Sequence, residues 1–308
     1  MTLSTMHRRS FAAIVIALVA TLPATVGAQR PTRDRIDTTV VFSRSGLVDL
    51  RQLTGDVTVT GWSRDEVRVR AFAEHGAVRF EATGTRVTLE VEAVRGRIGD
   101  TGFEVTVPLG ARVIANSTSG DVSVTGTRGP VEARSVTGDV TVSGTTGRTV
   151  LVTIVGDVEA SNLTGEVRGE SVNGDVSVTD VTGDVRLETT SGDIVLQRAS
   201  TRTTYAETVN GEIEFDGTLD AAGSYEFRSH SGDIRLRLPD APSARVAVET
   251  WSGEFETEFP VALQPGSAGG NRTPSRQFEF TLGAGSARMI IQSFSGTVLL
   301  ERRSGPGR

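Results

Sequence analysis

The chain has 308 residues, 38 acidic against 32 basic, only 5% aromatic, with 35 glycines and no cysteine. The absence of cysteine excludes a disulfide scaffold, a thiolate metal site and a lipid-modified N-terminal cysteine. A net charge of −6, with arginine as the sole basic residue type, argues against a nucleic-acid binder, whose positive charge gathers on one face.

Residues 1–28 follow the order of a secretory signal. Arg8 and Arg9 form the positive start, Phe11 to Ala20 the apolar stretch, and Val26-Gly27-Ala28 a small-residue cleavage site ahead of Gln29. The stretch is shorter than the roughly 20 apolar residues of a bilayer span, so cleavage is expected rather than anchoring. Arg8-Arg9-Ser10-Phe11 is also similar to a twin-arginine export signal. Either route predicts an exported protein, periplasmic or extracellular at the cell surface. Cleavage removes two arginines and no acid, moving the net charge from −6 to −8. No later apolar run is long enough to span a membrane.

Residues 29–116 form an N-terminal segment that from residue 36 alternates apolar and polar, as in Glu66-Val67-Arg68-Val69-Arg70 and Arg86-Val87-Thr88-Leu89-Glu90-Val91, the period of half-buried strands. They are expected to form the first rungs or a cap. Residues 117–260 hold the repeat. Glycines stand at 120, 129, 138, 147, 156, 165, 174, 183 and 192, a constant spacing of nine that signals a solenoid. Alternate units resemble each other more than neighbours do, so the repeat is 18 residues built from two halves. The stronger half reads Ser135-Val136-Thr137-Gly138-Asp139-Val140-Thr141-Val142 and recurs as Ser171-Val172-Asn173-Gly174-Asp175-Val176-Ser177-Val178. Glycine marks a turn, and the alternation after it a short strand whose inner face only stacked rungs can bury. Helical repeats fail, because 18 residues cannot hold a helix pair and a glycine every nine positions would break any helix.

The predicted fold is therefore all-β: a single-chain parallel β-solenoid, β-helix or β-roll, with about 18 to 21 residues per rung as the spacing loosens towards Gly253. Residues 261–276 are rich in Pro, Gly and Ser and read as a flexible loop. Residues 277–303 return to strand and are expected to close the C-terminal end, and residues 304–308 read as a disordered tail.

With its signal, its Ser/Thr-x-x-Gly-Asp-Val units and the closing Ser295-Gly296-Thr297-Val298, the chain resembles the bacterial putative-adhesin family of exported β-strand-repeat domains of unknown function. The resemblance covers roughly residues 36–301. It implies a β-helix-like fold and export, and brings no functional residues with it.

Catalytic chemistry is hard to place. Two histidines follow the signal, His75 beside Gly76 in an expected loop, and His230 in a column held elsewhere by Thr118, Val136, Ile154 and Trp251. Repeat position accounts for His230, and no nucleophile elbow accompanies the many serines. A carbohydrate-active β-helix enzyme would gather an acid, an arginine and an aromatic platform where the repeat breaks; Trp251 with Arg228 or Arg235 is the nearest such set. No catalytic, cofactor-binding or metal residue is assigned, and no cofactor is expected. The Ser/Thr column three places before each glycine reads either as a polar contact face or, better, as a hydroxyl ladder serving the turns. The acids after the glycines, Asp121, Asp139, Asp157, Asp175 and Asp193 onward, are expected to accept turn amides or pair with arginine; calcium rolls place their acid differently. If His230, Trp251 and Phe294 point outward, the C-terminal rungs form the contact surface. The expected function is a non-catalytic, adhesin-like scaffold binding an unidentified protein or glycan of the cell envelope. An envelope-stress or regulatory partner of a membrane sensor is the first alternative, and the enzyme the second.

Overall fold

The computed structural model describes residues 33–93, 99–261, 264–265 and 276–303. The expected signal, the tail and most of the expected 261–276 loop lie outside them. Within the described residues the chain is all-β, twenty-four strands joined in one hydrogen-bonded sheet with no helix.

One rung runs Val131–Thr137, a corner at Gly138, Val140–Ser143, a second corner at Gly144, and returns as Thr149–Val152 one layer on. Parallel pairing joins Val131 to Val113 and Thr149, and Val140 to Val122 and Val158. Successive rungs are 18 residues apart, as Asp121 and Asp139 are. The interval grows to 19 between Asp193 and Glu212. The column Val122, Val140, Val158, Val176, Ile194, Ile213, Ile234 and Val298 is buried along the axis, each side chain contributing on the order of 1.5–3 kcal/mol of burial. Neighbouring layers trade volume. Gly169 stands in the column of Ala133, Leu151 and Leu187, where a Cβ would meet Leu187 Cδ2 at 3.2 Å. Later rungs admit rings instead: Phe215 packs on Phe227 at 5.2 Å and on Tyr225 at 6.1 Å between centroids.

The second corner needs a left-handed residue in each layer. Gly126 and Gly144 supply it first, then Asn162, Asp180 and Arg198, at φ of 56°, 56° and 49°. Asparagine and aspartate tolerate this region. Arg198 is held there by a two-pronged ion pair with Asp180, at 2.6 and 2.8 Å, and that hydrogen bond keeps the Asp180 carboxyl below its ordinary range.

The expectation of a uniformly parallel solenoid is corrected at both ends, where the orientation is mixed. Glu66–Glu74 runs antiparallel to both Arg33–Val41 and Thr101–Pro108, and Gly76–Ala82 runs antiparallel to Arg86–Ala93. At the far end Arg276–Leu282 runs antiparallel to Ala244–Thr250, and Gln264–Pro265 antiparallel to Arg276–Leu282. Because of these excursions the axial neighbours Asp56 and Asp121 are 65 residues apart, and Asp233 and Thr297 are 64 apart. The reason is local: an end rung lacks a partner on one side, and an antiparallel strand supplies one, through a short turn between Gly76–Ala82 and Arg86–Ala93 and through longer connections in the other pairs.

At Gly174, φ is +151° and a Cβ would lie 2.0 Å from the carbonyl oxygen of Gly156 in the layer below. Gly174→Val is expected to cost roughly 2–5 kcal/mol, from backbone strain plus overpacking. Denaturant titration of parent and variant checks it, and an unchanged midpoint would remove the corner from its place in the fold.

Candidate interaction surface

Four side-chain positions around the first corner have distinct tasks. Three places before the glycine, the Ser or Thr points inward and donates to the corner carbonyl below. Ser135 reaches Gly120 O at 3.0 Å, Thr153 reaches Gly138 O at 2.9 Å, and Ser171 reaches Gly156 O at 3.0 Å. This is the hydroxyl ladder of the two readings; the column is buried and offers no outer face. Directly after the glycine, the aspartate accepts the amide of its counterpart one layer on. The Asp139 amide donates to Asp121 Oδ1, that of Asp157 to Asp139 and that of Asp175 to Asp157, each at 2.8 Å. Glu212 interrupts the run, its longer side chain pairing with Arg235 instead, and Asp233 resumes it by accepting the Thr297 amide at 2.7 Å. One oxygen of each aspartate is thereby occupied by protein. The described residues contain no group of three or more His, Cys, Asp or Glu able to hold a metal.

Two places before the glycine the side chain points out. Seven of the nine exposed large apolar residues among those described stand in this one column: Leu53, Val136, Ile154, Val172, Val209, Trp251 and Phe294. Thr118, Thr190 and His230 fill its other layers. The aromatic members do point outward, as the contact-surface reading requires, and they stack on edge. His230 lies on Phe294 at 4.6 Å and 15°, and Trp251 lies on the other side of Phe294 at 6.0 Å and 26°.

A wall of polar side chains four places before the glycine runs beside the stripe, including Glu170, Glu188, Glu207, Arg228 and Glu249. Stripe and wall enclose two shallow recesses of about 340 and 310 Å³ that meet at Glu207 and Val209. Trp251 and Arg228 share the second, whereas Arg235 pairs with Glu212 and Glu301 away from it. The carboxylates of that recess are engaged with neutral donors: Glu207 accepts the Tyr205 hydroxyl, and Glu249 accepts side-chain amides of Gln277 and Gln292, each at 3.2 Å. Arg228 Nε is buried there without a hydrogen-bond partner. Tyr205 is sandwiched between guanidiniums, Arg186 at 4.1 Å and Arg228 at 5.6 Å from its centroid. Burial first, then the bond to Glu207, pushes its phenol up to about 12. His75 sits exposed at φ 60° in the turn between Glu66–Glu74 and Gly76–Ala82, away from this surface. The recess holds side chains suited to binding.

The family model described as Toastrack DUF4097 matches residues 49–301. The chain belongs to that family. Its function is unknown, and the Toastrack match spans both the parallel rungs and the antiparallel ends. Among solved structures, a putative adhesin from Bacteroides fragilis is similar at 12% identity and TM-score 0.43, over 87% of this chain and 97% of that one. A putative cell adhesion protein from Clostridium sporogenes shares 10% identity at TM-score 0.19, over 88% and 100%. A putative lipid binding protein from Parabacteroides distasonis shares 10% at TM-score 0.32, over 87% and 97%. No curated protein matches the sequence.

Two outcomes follow from this geometry. Asp157→Ala removes the acceptor of the Asp175 amide and is expected to cost about 0.5–1.5 kcal/mol, with Asp157→Asn costing less because an oxygen acceptor remains; thermal melts, run also with chelator and with calcium, should show the ranking unchanged by the ion. Tyr205 keeps its proton in the fold where a free tyrosine loses it, so stability falls as pH rises from about 10 towards 12. The fall should be smaller in Tyr205→Phe, as read by denaturation at both ends of that window.

Proposed function

We propose that this Toastrack-family chain is an exported, non-catalytic, adhesin-like scaffold, and that the outward stripe beside the first corner is its contact surface. In this reading residues 1–28 direct export and are removed, residues 117–260 form a parallel β-solenoid of about 18 to 21 residues per rung, and the flanking segments cap it. The protein then works in the periplasm or at the cell surface, on a protein or glycan of the envelope.

One observation carries the reading: the exposed apolar side chains converge on a single column instead of scattering. Scattered surface hydrophobes need no explanation, whereas a contiguous exposed apolar strip rimmed by polar groups marks interaction sites. Aromatic residues dominate binding energy where they occur at such sites, which makes the His230–Phe294–Trp251 stack the centre of the contact.

The test is capture of native envelope components by immobilised mature protein. Replacing Trp251 and Phe294 together by Ala is expected to lower capture about tenfold or more, as loss of aromatic anchors does, with little change in melting temperature because both side chains are exposed. Equal capture by the parent and the double variant would remove the stripe from the function.

A further inference from the structure

The strand Ala287–Ser295 returns to the sheet next to Ala244–Thr250, and this places Arg288 directly opposite Arg245. Both are exposed. Like charges facing each other across adjacent strands, about 4.8 Å apart, are unfavourable. Elsewhere the chain relieves such pairs: Arg168 faces Arg186, but Arg168 is paired with Glu170 and Arg186 with Glu188. Among the described residues, Arg245 and Arg288 have no ion pair.

The surroundings add donors. Ser224 stands opposite Arg288 on the other side, and Thr281 opposite Arg245, so the row across four strands reads Ser224, Arg288, Arg245, Thr281. The hydroxyls of Ser224 and Thr281 are exposed, with no protein partner among the described residues. One pair further along, Ile290 faces Ala247, giving a small apolar floor. Its outer neighbours are Glu226, already paired with Arg228, and Glu279. The side chain of Arg245 is seated, since a Cβ on Gly285 would lie 3.2 Å from its Cγ. Arg245, Arg288, Thr281, Glu279 and Ile290 line a recess of about 750 Å³.

We propose that this recess binds the phosphate group of a phosphorylated sugar. The two guanidiniums present planar forks that match phosphate oxygens, the Thr281 hydroxyl that lines the recess donates to a remaining oxygen, and the Ile290–Ala247 floor takes the carbon face of one ring. A concave recess with so small an apolar floor suits a single sugar phosphate better than the flat face of a bilayer. Glu279, at the rim, sets a penalty against ligands with a second anionic group on that side. The site is independent of the outward stripe, and its test does not depend on that reading.

Titration calorimetry of the mature protein uses four probes: a hexose 6-phosphate, the same hexose without phosphate, inorganic phosphate, and vesicles of phosphatidylglycerol. Saturable binding of the hexose phosphate, weaker binding of inorganic phosphate and none of the bare hexose are expected. Arg245→Gln and Arg288→Gln should each weaken it at least about tenfold, the loss of one charge-assisted bidentate contact, while keeping or raising the melting temperature because a like-charge contact is relieved. Arg128→Gln, at an exposed arginine outside the recess, should bind as the parent does. Failure of the parent to bind hexose phosphate, an equal loss in Arg128→Gln, or binding to vesicles alone each overturns the assignment.

Discussion

Each rung is tied to the one below by contacts that converge on the corner glycine. Its backbone lies against the corner carbonyl of the preceding layer, so closely that a Cβ on Gly156 would come within 2.3 Å of Gly138 O. The same carbonyl accepts the buried Thr153 hydroxyl, and one residue on, Asp139 accepts the amide of Asp157. With the hydroxyl drawn inward and the carboxylate turned along the axis, the residue two places before the glycine is left to point out. Its identity is therefore free of the constraint that builds the corner. Thr118, Val136, Ile154, His230 and Trp251 all occupy that place without disturbing the register. A surface made of this column can change its chemistry at small cost to the fold.

The regular centre was legible in the sequence because the glycine and the hydroxyl are each demanded by an axial contact, and a demand met in every layer becomes a period. Direction was not legible at the ends. Alternation such as Glu66-Val67-Arg68-Val69-Arg70 gives a strand two faces but no heading, and the pattern reads the same in an antiparallel hairpin as in a rung. The outward column was visible as a column, yet its orientation was open, because strict alternation breaks at the corner: Thr118 and Ser119 are both exposed after the buried Ser117. The facing of Arg245 and Arg288 could not be read at all, since it depends on an excursion whose return point no repeat announces.

Departures from the pattern gather in the last rungs. There the intervals lengthen, Phe215, Tyr225 and Phe227 replace medium aliphatics inside, His230, Phe294 and Trp251 replace them outside, and the excursion through Arg276–Leu282 brings two arginines together. The aromatic interior and the longer interval belong together, because rings need a wider layer. The middle rungs, by contrast, repeat the same small set of side chains and carry little that is individual.

That uniformity gives the middle of the molecule the property of a ruler. A whole unit of 18 residues, the interval from Asp139 to Asp157, could be added or removed with each column still meeting its own kind above and below, and the separation of the two ends would change by about 4.8 Å, one graduation. A single-residue insertion is neutral only where a register shift takes it up, as between Thr201 and Thr204 in the 19-residue interval from Asp193 to Glu212; within a strand it moves the inward set to the outside. Length and surface chemistry are thus written in different places along the chain: how far the last rungs stand from the first is a matter of counting, and what they touch is a matter of spelling.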